Sequence, residues 1–242
     1  MGLVTLLLLI GGALSGLSAL SPPELPANAQ DKGQAGPDPD DASLLTGTDG
    51  TDVLIAGDGA DWLLGLDGAD LLRGGDGNDV LIGGAGADDI IGGPGNDFVE
   101  SAHIVDEAAL RASVGDGINN VIFTYDLPRS SDEGDRVDLG PGDDTVVAGS
   151  HDQITGGAGA DEVALGDWIT PEQPVEITDF DEAEDLVSFV HTENGPAPEL
   201  EIHRDTQNGV TTLHADGRPI AVIRGASPDF SLRNVVMGHY AA

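Results

Sequence analysis

The dominant pattern along the chain is an aliphatic residue that returns every nine positions. Leu54, Leu63, Leu72, Leu81, Ile90 and Val99 form this column between residues 47 and 100. Each is the centre of a triplet, beginning with Val53–Ile55 and Trp62–Leu64. The six residues before each triplet are rich in Gly and Asp and read as a turn. A fixed nine-residue period predicts one short strand per repeat, stacked on its neighbours. A flexible linker of the same composition would not hold an aliphatic residue in register six times.

The copies read GTDGTDVLI, AGDGADWLL, GLDGADLLR, GGDGNDVLI, GGAGADDII and GGPGNDFVE. Position 4 is always Gly. Position 6 is always Asp: Asp52, Asp61, Asp70, Asp79, Asp88 and Asp97. Glycine at positions 1, 2 and 4 allows backbone angles that a Cβ resists and leaves carbonyls free to face a cation. Carbonyls with carboxylates suit Ca²⁺, which takes about 6–8 oxygens. The chain has no Cys, and no His lies within the six copies, so zinc or copper chemistry is disfavoured there.

The copies resemble the RTX, or haemolysin-type, calcium-binding repeat, G-G-x-G-x-D-x-U-x. The resemblance implies an all-β fold: a parallel β-roll, or calcium-binding β-helix, in which two nonapeptides complete one coil. It also implies the ligands. Carbonyls at positions 1 and 3 of one turn join those at positions 2 and 4 of the turn stacked on it, with the position-6 Asp of both. That points to Gly47, Asp49 and Asp52 with Leu66, Gly68 and Asp70. It pairs Asp58 and Asp61 with Gly75, Gly77 and Asp79, and Asp67 with Gly84, Gly86 and Asp88. Gly74 and Asp76 go with Gly93, Gly95 and Asp97, while Gly83 and Gly92 hold position 1 of the last two copies. Ala85 and Pro94 at position 3 keep the carbonyl but lose a side-chain charge. Ala56 and Leu66 replace glycines, so those turns are expected to be strained or weaker.

If copies n and n+2 stack, Asp52 lies above Asp70 and Asp61 above Asp79. Strands about 4.8 Å apart place like charges where they repel by about 1 kcal/mol in water, and by several in a drier setting. A divalent ion between them reverses the sign. The expectation is a roll whose folding waits for Ca²⁺, with about four ions in this block.

The outward positions of the triplets differ between alternate copies. Even copies place Trp62, Leu64, Val80, Ile82, Phe98 and Glu100 there, and odd copies Val53, Ile55, Leu71, Arg73, Asp89 and Ile91. The even face is nearly all apolar and calls for a cover, either another part of this chain or a partner docking on Trp62, Val80 and Phe98. A wetted sheet of β-formers is the plainer alternative.

Beyond the six copies the reading is coarser. Residues 1–20 contain an uncharged apolar run over 3–20, close to membrane-spanning length, which reads as a signal peptide or an uncleaved anchor. Ala27-Asn28-Ala29 offers an A-x-A cleavage site. Residues 21–46, with five prolines and several Asp, read as a disordered acidic linker. Residues 101–134 lose the rhythm and form a connecting segment, with a helix expected at 106–112 and a strand at 121–125. The rhythm returns weakly over 135–164, in Asp135-Arg136-Val137, Asp144-Thr145-Val146, Asp152-Gln153-Ile154 and Asp161-Glu162-Val163. This reads as a second, degenerate roll binding one or two ions through Asp144, Gly156, Gly157, Gly159 and Asp161. A metal-free turn-rich segment is the alternative. His151 reads as a solvated turn residue. Residues 165–242 read as a C-terminal antiparallel β cap, with strands on either side of an acidic turn and a meander turning at Asn208-Gly209 and Asp216-Gly217. The segment ITDFDEAEDLVSF resembles the part that follows RTX repeats in serralysin-type C-terminal domains.

The net charge of −35 over 242 residues argues against nucleic acid and anionic lipid as partners. No H-E-x-x-H and no G-x-S-x-G occurs, and the scattered histidines form no motif. The reading is a non-catalytic, calcium-binding, structural or adhesive protein. It is secreted or at the cell surface, and meets the membrane only through its N-terminal segment. An accessory or degenerate member of an RTX hydrolase family is the alternative.

Overall fold

A computed structural model describes residues 30–31, 42–105, 133–192 and 196–240. The expected helix at 106–112 and strand at 121–125 lie outside the described residues, as does the N-terminal apolar run.

Each nonapeptide triplet forms a short strand, and successive strands alternate between two sheets. The strands are β1 (Gln30–Asp31), β2 (Ser43–Thr46), β3 (Val53–Ile55), β4 (Trp62–Asp67), β5 (Leu71–Arg73), β6 (Val80–Ala85), β7 (Asp89–Ile91) and β8 (Phe98–Glu100). The chain returns with β9 (Arg136–Pro141), β10 (Thr145–Val147), β11 (Gln153–Ala158), β12 (Glu162–Gly166), β13 (Val175–Ile177) and β14 (Leu186–Thr192). Then come β15 (Leu200–Asp205), β16 (Val210–Ala215), β17 (Arg218–Arg224) and β18 (Val235–Tyr240).

One sheet has the order β1-β2-β4-β6-β8-β10-β12-β14-β18, and the other β15-β16-β17-β13-β11-β9-β7-β5-β3. All neighbours are parallel except the β15–β16–β17 meander. The expected n/n+2 stacking is observed: Val53 pairs with Leu71, and Trp62 with Val80.

Two expectations about boundaries are corrected. The degenerate block is not a separate roll. Strand β7 pairs with β9 and β8 with β10, so the stack runs on unbroken across the connecting segment. The linker does not extend to residue 46, because β2 pairs with β4, and with β1 on its other side, and so belongs to the stack. The C-terminal part also departs from a purely antiparallel cap, since β13, β14, β17 and β18 extend the two sheets in parallel.

The aliphatic column lies between the sheets. Leu63, Leu72, Leu81, Ile90, Val99, Val137, Val146 and Ile154 are fully buried, and burying each such side chain is worth roughly 1.5–3 kcal/mol. At the C-terminal end Phe180 and Phe230 meet edge to face at 5.4 Å. They close the last coil, as the exposed end of a stacked-repeat core requires.

The outer faces differ as their sequences do. On the odd sheet Val53 and Ile55 are exposed, as are Arg73 and Asp89. On the even sheet Trp62, Leu64, Val80 and Ile82 are buried in one cluster with Leu44, Leu66 and Val105, and Phe98 packs against it. The Trp62/Val80/Phe98 column is therefore not a free docking face. Its cover is within this chain, and Val105 belongs to it.

Candidate metal sites along the two turn edges

The turns between strands stack on two opposite edges of the roll. One edge carries turns 56–61, 74–79, 92–97, 139–144 and 156–161. The other carries 47–52, 65–70 and 83–88, and a shorter turn before Asp152.

Along each edge the position-6 aspartates form a hydrogen-bonded ladder. The Asp61 N–H donates to Asp79 Oδ1 at 2.8 Å, Asp79 N–H to Asp97 Oδ1 at 2.9 Å, Asp97 N–H to Asp144 Oδ1 at 2.7 Å, and Asp144 N–H to Asp161 Oδ1 at 3.0 Å. On the other edge Asp52 N–H donates to Asp70 Oδ1 at 2.7 Å, Asp70 N–H to Asp88 Oδ1 at 2.8 Å, and Asp88 N–H to Asp135 Oδ1 at 2.8 Å. Each Asp thus uses one oxygen to bind the backbone of the coil before it.

The second oxygen turns inward, over position 1 of its own turn. A methyl carbon at Gly74 would lie 2.3 Å from Asp79 Oδ2, one at Gly92 2.4 Å from Asp97 Oδ2, and one at Gly83 2.5 Å from Asp88 Oδ2. Gly47 and Gly156 are placed likewise, against Asp52 and Asp161. In these turns a Cβ would meet the carboxylate, whereas Ala56 and Leu139 hold position 1 in the turns of Asp61 and Asp144. For Asp70, Asp79, Asp97 and Asp144 this inner oxygen is buried and meets no donor from the protein. A buried carboxylate oxygen without a donor is costly, and a cation is the usual remedy.

Carbonyls complete the cradle. A methyl carbon at Gly77 would fall 1.8 Å from the Gly59 carbonyl oxygen, and one at Gly95 1.7 Å from that of Gly77. Gly75, Gly84, Gly86 and Gly93 face the carbonyls of Gly57, Leu66, Gly68 and Gly75 in the same way. These positions have positive φ, from 100° upward, which only glycine adopts without strain. Among the described residues no three His, Cys, Asp or Glu side chains converge on one point. Such a cradle would offer a cation mainly backbone oxygens, with a carboxylate from each of two stacked turns. That donor set is hard and all-oxygen, as Ca²⁺ prefers. Asp49, Asp58 and Asp76 at position 3 are exposed and Asp67 half-buried, and the Asp76 carbonyl accepts the Gly59 N–H of the stacked turn at 2.7 Å.

Burial is the main force on these carboxyls. It pushes Asp79 up to about 7, against the N–H of Asp61, and the charges of Asp61 and Asp76 add to the rise. Asp97 is pushed up to about 8 by burial, with Asp79 and Asp144 adding. Asp161 rises to about 7 and Asp144 to about 6 for the same first reason. Asp61 and Asp70 are raised as well.

A sequence model of the RTX calcium-binding nonapeptide repeat, four copies long, matches residues 46–81, 64–99 and 138–167. These are RTX calcium-binding repeats. No curated protein matches the chain. Among solved structures, the AlgE6R3 subunit of the Azotobacter vinelandii mannuronan C5-epimerase is 24% identical, over 78% of this chain and 80% of its own, with a TM-score of 0.33. The extracellular lipase LipA of Serratia marcescens is 16% identical, over 81% of this chain and 40% of its own, with a TM-score of 0.29.

The RTX turns are not uniform. Asp52 Oδ2 accepts from the N–H and the hydroxyl of Thr48, at 2.7 and 2.8 Å, so the first turn partly satisfies itself. Leu66, the expected irregular turn residue, has φ of 81°, a strain of about 1 kcal/mol. Its buried side chain offsets this by joining the Trp62 cluster.

Several contacts of the arrangement were not foreseen from sequence. Turn 139–144 lies directly on 92–97: Gly93 N–H donates to the Leu139 carbonyl and Gly95 N–H to that of Pro141, both at 2.9 Å. Asp179 stands where a further turn would be, taking the N–H groups of Gly156 and Gly157 at 2.8 and 2.9 Å. Asp185 takes the Asp161 N–H at 3.1 Å and ends the ladder. The D-x-U triplets and the ITDF segment carried the signal, but sequence spacing alone did not join them to the earlier copies.

Proposed function

We propose that this chain is a non-catalytic calcium-binding β-roll protein, exported or held at the cell surface, that acts as a structural or adhesive module and folds when Ca²⁺ binds. The observation that carries the reading is the set of buried, donor-free inner oxygens on Asp70, Asp79, Asp97 and Asp144, the first three lying over the glycine at position 1 of their own turns. Bound Ca²⁺ supplies the positive charge that lets stacked carboxylates coexist. The chain's own residues hold the turns open for it: glycines keep Cβ atoms out of the cradle, and the Asp ladder fixes the inner oxygens.

The stacked pairs 47–52/65–70, 56–61/74–79, 65–70/83–88 and 74–79/92–97 account for about four ions in the first block. The pairs 92–97/139–144 and 139–144/156–161 account for one or two more. Calcium in the millimolar range, as outside cells, would saturate even weak sites, which supports the export reading.

Isothermal titration of the full chain with calcium, together with far-UV circular dichroism, tests this. The expected result is five or six ions per chain and a large gain of strand signal on moving from chelator to calcium. Equal strand signal in both conditions would remove the proposal.

A further inference from the structure

We infer that Asp152 is an ion-free staple set within the calcium ladder, in which protein donors take the place of the metal and clamp both ends of the connecting segment. This rests on the calcium reading of the other turns and goes beyond it. Asp152 continues the column of Asp70, Asp88 and Asp135, and its Oδ1 accepts the Asp135 N–H at 2.8 Å, as ladder members do. Its other oxygen differs. Asp152 Oδ2 accepts the Gly149 N–H at 2.6 Å and the Ser101 hydroxyl at 2.8 Å, and both Ser101 and Asp152 are fully buried.

The rest of a calcium cradle is also dismantled here. Only four residues, 148–151, separate strand β10 from Asp152, where the full repeats have five before their Asp. The Ala148 carbonyl, at the position where other turns offer a ligand, accepts the Trp168 indole N–H at 2.9 Å. The Ser150 hydroxyl accepts the Thr170 N–H at 2.9 Å. The chain between β8 and β9 carries no nonapeptide copy, and neither do residues 167–174 between β12 and β13.

The geometry also explains why a staple belongs at this place. Ser101 is the residue at which the chain leaves β8, and Asp135 is the residue at which it enters β9. One carboxylate thus holds the exit with one oxygen and the return with the other. Proton donors do here what a cation does in the other turns, and they do it with no calcium present.

The test counts ions and measures stability in the full chain saturated with calcium, for Ser101→Ala, Asp152→Asn and, as a reference, Asp79→Asn. Ser101→Ala and Asp152→Asn are expected to bind as many ions as the parent while unfolding at lower urea. Asp79→Asn is expected to bind at least one fewer. Loss of an ion in Ser101→Ala, which leaves every carboxylate in place, or in a folded Asp152→Asn, would overturn the staple. So would an unchanged urea midpoint in both. A full ion count in Asp79→Asn would instead remove the calcium reading on which the contrast rests. It is told apart because the Ser101 and Asp152 variants would still unfold earlier.

Discussion

Replacing Asp97 by Asn is predicted to act with opposite sign in the two states of the roll. The substitution keeps size and shape, and the Asn carbonyl can still accept the Asp79 N–H that now reaches Oδ1 at 2.9 Å. What it removes is charge. In the metal-free chain Asp97 lies in one column with Asp79 and Asp144. At a coil spacing of about 4.8 Å and an effective dielectric of about 20, each ionised neighbour repels it by about 3 kcal/mol. With its carboxyl pushed up to about 8, that repulsion is largely avoided at neutral pH by protonation and is felt in full only above it. At pH 9 in chelator, the variant should therefore keep more strand signal than the parent. In calcium the same change removes a carboxylate shared by turns 74–79, 92–97 and 139–144. There the variant should need at least tenfold more calcium to fold, each tenfold being about 1.4 kcal/mol. The assay is far-UV circular dichroism against calcium and against urea, at pH 9, for both proteins. Equal destabilisation in chelator and in calcium would refute the reasoning, because it would make Asp97 a hydrogen-bonding residue and nothing more.

The pH dependence of the chelated chain follows from the same carboxyls. Asp79, Asp97 and Asp161 are raised from 3.8 to about 7, 8 and 7, so their contribution to the metal-free fold is complete below about 4 and is lost as pH rises through 7–8. Chelated protein should hold more strand signal at pH 5 than at pH 8, and a rise with pH would contradict the burial of these groups. Gly77→Ala puts a carbon 1.8 Å from the Gly59 carbonyl at φ of 136° and should cost at least about 2 kcal/mol in urea unfolding. Gly50→Ala, with nothing within 4 Å, should cost under about 0.5 kcal/mol; equal effects would show that the coils are not in contact. Trp62→Ala should cost about 3–5 kcal/mol, against under about 0.5 for Val53→Thr on the exposed face. Similar costs for both would mean that the even sheet is not covered.

Which parts of this structure were legible in the sequence depends on how far apart the stacked residues lie. Asp52 and Asp70, or Leu54 and Leu72, are 18 residues apart and belong to one unbroken period, so periodicity alone stacks them. Asp88 and Asp135, like Asp97 and Asp144, are 47 apart across a segment with no rhythm, and no periodic argument spans that gap. The same break made one roll read as two. The apolar even face was legible as needing a cover, because Trp62, Val80 and Phe98 recur at the outward position. What covers it was not, because that depends on tertiary packing. Leu66 shows both limits. Its place in a glycine column announced a strained turn, whereas the burial that offsets the strain comes from Val80 and Val105, one coil away and some forty residues away.

Turn 139–144 resting on 92–97 has a topological consequence. An ion held between Asp97 and Asp144 ties together residues 47 apart, whereas ions elsewhere in the first block tie residues 18 apart. Treated as a cross-link, closing 47 residues removes about 4 kcal/mol of chain entropy from the unfolded state, against about 3 kcal/mol for 18. The chain has no cysteine. At this junction a calcium ion would serve as its disulfide, with one difference: free calcium, not the redox state of the surroundings, decides whether the link is made.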